Sequence, residues 1–286
     1  MTSHDVVAKL RRLLKVKQIG HAGTLDPMAT GVMAIAVGQA TRLLRFLDDD
    51  KSYEAKILFG RQTDTDDIEG TVTKECADLR MPERDKLEAA LTKFRGPISQ
   101  VPPLYSALHV DGKRLYELAR NGEIAESQIK AREVIIHKIE LTAYEPPYIG
   151  LFIHCGKGTY IRSIARDLGR LFETGACLAG LRRTTSGKFS IAQALTLSAL
   201  EERLGDTGTP MLAIADVLPL PKIQVDEEQT RRLKMGQTVE SKEPLQEPFV
   251  LVLNNDKVVC VAVPKSGQDS ALNYLKPEVV LSTESN

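Results

Sequence analysis

Hydrophobic residues recur along this chain at two spacings, and each spacing predicts a kind of element. Near the N-terminus Val6, Val7, Leu10, Leu13 and Leu14 fall three and four residues apart, the period of one helix face. They predict a helix from about Asp5 to Lys15, capped by Thr2 or Ser3, with Arg11, Arg12, Lys15 and Lys17 on its basic side. Leu87, Ala90, Leu91 and Phe94 predict an amphipathic helix over Pro82–Phe94. Thr41–Leu47 reads as a short helix, Lys113 to Asn121 as a basic one, and Tyr160–Phe172 as one entered through Gly156-Lys157-Gly158. The two-residue period of a strand runs through Lys51–Phe59, and two strand-like runs, 133–143 and 148–155, flank Pro146-Pro147. The apolar run Val32–Val37 predicts a buried strand, and Gly187–Ile191 another after the Arg182-Arg183 pair. Residues 96–106 hold Pro97, Pro102 and Pro103 and are expected to be loop.

After Pro221 the pattern changes. Gly205–Pro210 and Pro219–Pro221 bracket a linker with one helical turn between them. Gln229–Lys234 reads as a short helix ending at Gly236. Phe249–Leu253 and Val258–Val263 read as strands paired around the turn Asn254-Asn255-Asp256. A small, mostly β C-terminal domain is expected there.

Composition narrows the class. Of 286 residues, 42% are hydrophobic and 27% charged, which is ordinary for a globular protein and excludes disordered, collagen-like and fibrous chains. The 38 basic residues balance 38 acidic ones, so the chain does not hold a polyanion by bulk charge. The zero is a cancellation, however. Residues 151–200 carry 7 basic and 2 acidic side chains, +5, and residues 201–250 carry 6 and 10, −4. Such asymmetry fits a nucleic-acid partner or a solvated surface alike. Cys76, Cys155, Cys177 and Cys260 form no C-x-x-C pair, and no His stands at a zinc-like spacing from another ligand. Structural zinc is not expected, and the thiols should be buried in a reducing compartment. With neither a membrane-length apolar run nor a signal-peptide pattern, the expected location is the cytosol.

The segment Gly20-His21-Ala22-Gly23-Thr24-Leu25-Asp26-Pro27-Met28-Ala29-Thr30-Gly31 carries the strongest chemical signal. Its glycines permit tight turns and close backbone approach to a ligand. Asp26, fixed before Pro27, suits a nucleophile on a rigid loop, or equally a turn aspartate satisfying local N–H groups. Arg162 follows a Gly-Lys-Gly turn. Its planar fork suits a carboxylate, so it either pairs with Asp26 and keeps it ionised or lies on the helix surface. Gln62-Thr63-Asp64-Thr65-Asp66-Asp67, closed by Gly70, fails the calcium-loop pattern at Ile68 and Glu69. Among the histidines, His21 lies in the catalytic-looking loop, whereas His137 and His154 fall in apolar strands and are expected to pack in the core.

The Gly20–Gly31 segment resembles the signature of the bacterial tRNA pseudouridine-55 synthases, the TruB family. The resemblance extends, in family order, through Lys51-Ser52-Tyr53, Gly60–Asp67, Pro102–Leu108, Gly156–Arg162 and Leu181-Arg182-Arg183. It implies an α+β fold with a mixed, largely antiparallel central sheet flanked by helices. It further implies a catalytic domain over 1–215, a thumb-like RNA-binding insertion near 102–126, and a PUA-like RNA-binding domain over 222–286. The implied activity isomerises one T-loop uridine of tRNA to pseudouridine, without cofactor or metal. In that reading Asp26 is the essential carboxylate, which attacks the nucleotide or drives departure of the base. Arg162 pairs with it, Asp67 is the second acidic partner of Arg162, and Tyr53 stacks on the target base. His21 fills space vacated in the T-loop, Leu181 walls the pocket, and Tyr160 and Arg183 also bind substrate. Lys113, Arg114, Arg120, Arg182 and Arg183 would contact phosphates. A monomer is expected, acting on tRNA without a membrane. The family carries a further strand with Leu-Asp-Lys-Pro-x-Gly before the Met-Thr-Ser of this chain, so Met1 is expected to be an internal start. The same residues leave open a guide-RNA-directed relative, an RNA chaperone, and a metal-dependent hydrolase using Asp64, Asp66 and Asp67.

Overall fold

The Lys51–Phe59 strand is built as its alternation predicts and stands inside a seven-stranded sheet. A computed structural model describes residues 1–110, 112–206, 210–241, 246–266 and 273–281. The sheet runs Phe189–Ser190, Ala176–Ser186, Lys51–Phe59, Tyr148–Cys155, Arg132–Glu145, Gly96–Gln100. These pairs are antiparallel, and the short Thr30–Gly31 strand joins Arg182-Arg183 in parallel. The sheet is therefore mixed and largely antiparallel.

In Tyr148–Cys155 the odd positions Ile149, Leu151, Ile153 and Cys155 are buried and the residues between them are half-buried. The helix Ile161–Leu171 sets Ile161, Ile164, Ala165 and Leu168 into the same apolar cluster as Ile57, Phe59 and Ile153. Burying a side chain such as Ile164 or Leu168 contributes about 2 kcal/mol. Gly169 lets this helix approach the next strand, because a Cβ there would collide with the backbone of Ala176.

Several expectations need correction. Residues 96–100 are not loop: they form the edge strand, with Pro97 opposite Ile135. An edge strand has one open side, so a residue lacking N–H is tolerated. The long strand Ala176–Ser186, which holds Arg182-Arg183, was not apparent from the pattern. Bulges between Leu178 and Gly180 and between Arg183 and Thr185 break its alternation. The strand after it is only Phe189–Ser190. Of Val32–Val37, only Ile35–Val37 is strand. Gln62 and Thr63 belong to a strand, Arg61–Thr63, paired with Val72–Glu75. The helix Leu197–Asp206 was not foreseen. His137 and His154 are not core residues. The strand period places His154 on the face opposite Ile153 and His137 on the face opposite Ile136.

Contacts divide the chain into two compact units, and the sheet above belongs to the one formed by Leu25–Val32 and Asp49–Ala194. The other comprises Met1–Thr24, Met33–Asp48 and Leu195–Asn286. Its first helix, Ser3–Leu14, opens with a reciprocal cap: Asp5 N–H donates to Thr2 Oγ1 at 3.2 Å and Thr2 N–H to Asp5 Oδ2 at 2.8 Å. Ile19–His21 pairs with Ile35–Val37. Gly38–Phe46 is a 3-10 helix, which starts before the predicted Thr41–Leu47 and ends one residue short of it.

A five-stranded sheet follows in the order Lys222–Gln224, Val250–Asn254, Lys257–Ser266, Asn273–Val280, Val239–Ser241. Asn255 and Asp256 turn its hairpin with φ of 46° and 64°, the left-handed pair that a two-residue turn requires. Asp226 caps the helix Glu227–Lys234. In the predicted linker, Ile214–Val217 forms the helical turn, and residues 207–209 lie outside the described residues. Of the four cysteines, Cys155, Cys177 and Cys260 are buried and Cys76 is half-buried. Burial pushes the Cys155 and Cys177 thiols up to about 11 and Cys260 to about 12, so they stay protonated. Among the described residues no helix is long and apolar enough to cross a membrane.

Candidate active site

Asp26 opens a tight turn in which its carbonyl accepts the Ala29 N–H at 2.9 Å. The far end of the loop is fastened to the sheet. Thr30 and Gly31 pair with Arg182 and Arg183, and Val32 N–H donates to the Arg183 carbonyl at 2.9 Å. Gly31 has φ +106° and lies against the Arg183 backbone, where a Cβ would collide. Only glycine meets both demands. The fully buried Arg183 returns the contact through its side chain, Nε donating to the Val32 carbonyl at 2.7 Å.

Arg162 stands in the first turn of the helix Ile161–Leu171. Gln100 fixes that helix start: Tyr160 N–H donates to Gln100 Oε1 at 2.8 Å, and Gln100 Nε2 donates to the Tyr160 carbonyl at 3.1 Å. The Arg162 side chain is 6% exposed and makes four hydrogen bonds. Nε reaches Asp26 Oδ2 at 3.1 Å and Nη2 reaches Asp26 Oδ1 at 2.9 Å, the two-point fork that an arginine presents to a carboxylate. Nη2 also donates to the Tyr105 carbonyl at 3.0 Å, and Nη1 to the Thr65 carbonyl at 3.0 Å. Asp67 Oδ2 lies 3.5 Å from Nη1.

The two carboxylates on this arginine differ in access. Asp67 is 8% exposed, and its other oxygen accepts from Thr65 Oγ1 at 2.7 Å and Glu69 N–H at 3.1 Å. Asp26 is 29% exposed, so it alone keeps a face that a ligand can reach. Asp64 accepts the Thr71 N–H at 2.7 Å. The acidic loop thus spends its carboxylates on turns and arginines.

Tyr53 is buried on the strand next to Arg183 and opposite it in register. Burial pushes its phenol up to about 12, with the Arg183 guanidinium pulling the other way, so the hydroxyl is neutral at ordinary pH. Burial also raises the phenol of the half-buried Tyr160. Leu181 is buried in the sheet's apolar cluster. Asp26, Arg162, Asp67, Tyr53, Tyr160, Leu181 and Arg183 all belong to the same unit. His21 belongs to the other, on the strand Ile19–His21 opposite Ile35.

Sequence reasoning missed Arg166, one turn along from Arg162 and equally buried. Arg166 Nη1 pairs with Asp66 at 2.9 Å and Glu126 at 3.3 Å, and Nε with Asp167 at 3.0 Å. Burial pushes Asp66 up to about 6, with Arg166 opposing. The signal was present as arginines four apart on one helix beside an aspartate-rich loop.

Comparison with known proteins agrees with this geometry. Residues 11–161 match the model of the TruB family pseudouridylate synthase N-terminal domain, and residues 162–218 match the tRNA pseudouridylate synthase B C-terminal domain. A relative from Nostoc, named tRNA pseudouridine synthase B, is 47% identical over 245 residues, covering 84% of this chain and 82% of its own. One of the same name from Gloeobacter violaceus is 43% identical and covers 99% of this chain and 96% of its own. The fold is also that of a crystal structure of a Cbf5-Nop10-Gar1 complex, with TM-score 0.72 at 23% identity over 98% of this chain and 80% of that one. Motifs, fold and relatives agree that the chain belongs to the TruB family of pseudouridylate synthases.

Proposed function

We propose that this chain isomerises uridine 55 in the T-loop of tRNA to pseudouridine, with Asp26 as the catalytic carboxylate. The observation that carries this reading is the Asp26–Arg162 fork: a carboxylate oriented at two points by a buried guanidinium, yet open on one side. The reaction breaks the N1–C1′ bond and forms a C5–C1′ bond, while C5 loses a proton and N1 gains one. Atoms and electrons balance without an oxidant or a donated group. What the protein must supply is a positioned base, an oriented carboxylate at C1′ and a route for the C5 proton.

Taking a base out of a folded RNA loop costs a few kcal/mol. Stacking on an aromatic ring returns roughly 1–3 kcal/mol. Tyr53 supplies that ring, and because its phenol is neutral it relays the C5 proton by hydrogen bonding and does not wait as a phenolate. Asp26 attacks the sugar or stabilises the departing glycosyl cation, and Arg162 holds it in place for either. Tyr160 and Leu181 bind the substrate around it, His21 contacts the T-loop, and the fully buried Arg183, expected to touch substrate and phosphate, instead holds the end of the Asp26 loop. Residues 1–215 form the catalytic domain, residues 102–126 clamp the T-stem, and 222–286 form a PUA-like RNA-binding domain.

The relatives' shared name supports tRNA as the partner. Incubating the chain with unmodified tRNA and mapping pseudouridine by chemical labelling tests the proposal. Label at position 55 alone is expected. No label, or label only elsewhere, contradicts it.

A further inference from the structure

Three ligand-type side chains that the isomerisation does not use converge on one patch of the central sheet. Asp50 immediately precedes the strand Lys51–Phe59, His154 lies on the neighbouring strand Tyr148–Cys155, and His137 on the next, Arg132–Glu145. Register aligns them: Ser52 faces His154, and His154 faces Lys138. His137 lies in the bulge between Ile136 and Lys138, on the face opposite Ile136. His137 Nε2 lies 3.3 Å and His154 Nε2 lies 3.9 Å from Asp50 Oδ2. One ligand atom from each of the three fits within a 4.8 Å span, and the two imidazole rings are 4.9 Å apart.

We propose that Asp50, His137 and His154 form a binding site for one divalent transition-metal ion of the zinc class. Bonds of about 2.0–2.2 Å to imidazole nitrogen and carboxylate oxygen place tetrahedral ligands roughly 3.3–3.5 Å apart. The His137–Asp50 distance already has that value, the His154–Asp50 distance is longer at 3.9 Å, and all three ligand atoms lie within 4.8 Å of one another, so small side-chain rotations close the site around an ion. Two neutral imidazoles and one carboxylate favour zinc, nickel or copper over magnesium and calcium, which take all-oxygen sites. His154 also has the outer support that metal-bound histidines show. Its Nδ1 lies 3.0 Å from the hydroxyl of buried Ser52, a contact that leaves Nε2 free to bind when Nδ1 is the donor. The ligands are about one-third exposed, so an ion reaches the site directly and water completes its coordination. Sequence spacing hides this site because its ligands come from three strands 17 to 104 positions apart.

The test uses the full chain, stripped with chelator and titrated with Zn²⁺ by calorimetry and native mass spectrometry. One ion per chain is expected. His137→Gln and His154→Gln should each weaken binding at least tenfold, and Ser52→Ala about tenfold. Cys76→Ser should leave binding unchanged. Side-chain ¹⁵N resonances of both His137 and His154 should move on addition of Zn²⁺, a readout independent of whether any variant folds. Failure to bind one equivalent, unmoved His137 and His154 resonances, or affinity lost in Cys76→Ser but kept in the His137→Gln/His154→Gln double variant would each overturn the proposal. In those cases the three side chains form only a polar contact between one carboxylate and two tilted rings.

Discussion

The helix Ile161–Leu171 carries two arginines one turn apart, and the contrast between them separates chemistry from architecture. Arg162 and Arg166 are buried to the same degree, 6% exposed, and each holds more than one carboxylate. Arg166 gathers Asp66, Glu126 and Asp167 and donates to the Val101 carbonyl at 2.7 Å, so it ties three segments together. Asp66 is 15% exposed, while Glu126 and Asp167 are about as exposed as Asp26. Arg162 instead presents its fork to one carboxylate from a loop already fastened at its far end, and that carboxylate is left open. A buried ion pair is weak evidence for either stability or function. What separates the two cases is the two-point grip of Arg162 on one carboxylate, where Arg166 makes single contacts to several.

Substitutions can break or sharpen this contrast. Arg162→Ala should cut turnover by about 10³–10⁴-fold, because Asp26 loses its orientation. It should also destabilise the fold by roughly 3–5 kcal/mol, since buried Asp67 is left uncompensated. Single-turnover assays and denaturant melts measure the two effects. Arg166→Ala should show a comparable loss of stability but a much smaller loss of turnover in the fraction that remains folded. Equal catalytic losses would erase the distinction. Tyr53→Phe keeps the stacking face and removes the hydroxyl. Turnover should fall about 10²-fold while tRNA affinity, read by filter binding, holds.

The smallest effect is a pH dependence. Asp66 is raised from 3.8 to about 6 in the folded state, so the native protein binds the extra proton between those values. Stability from this group is therefore greatest at low pH and is lost as pH rises through that window. In Asp66→Asn that loss is absent, so the variant's Tm relative to wild type should climb from pH 4 to 6 and then level off.

How much of this was legible depended on whether the signal was local. Lys51–Phe59 alternates through Tyr53, Ala55, Ile57 and Phe59, Ile161–Leu171 keeps the helical period, and both formed where expected. Ala176–Ser186 was obscured because its two bulges each reset the alternation, although it adjoins Tyr53 and holds Leu181 and Arg183. Pro97 read as a loop residue because sequence does not tell an edge from a centre. Asp26 and Arg162 stood out through glycine-rich neighbours that mark unusual backbone, but their pairing spans 136 positions and needed the fold. Arg166 looked like any helix-surface arginine. Its own burial and its partners from distant segments, both invisible in sequence, are what distinguish it.

The most direct test of the account is Asp26→Asn, which is nearly isosteric and removes the carboxylate while leaving the rest of the Arg162 cluster in place. Pseudouridine at position 55 and tRNA affinity should be measured on the same preparation. The account predicts no pseudouridine above background with affinity retained. Formation at the wild-type rate would contradict it.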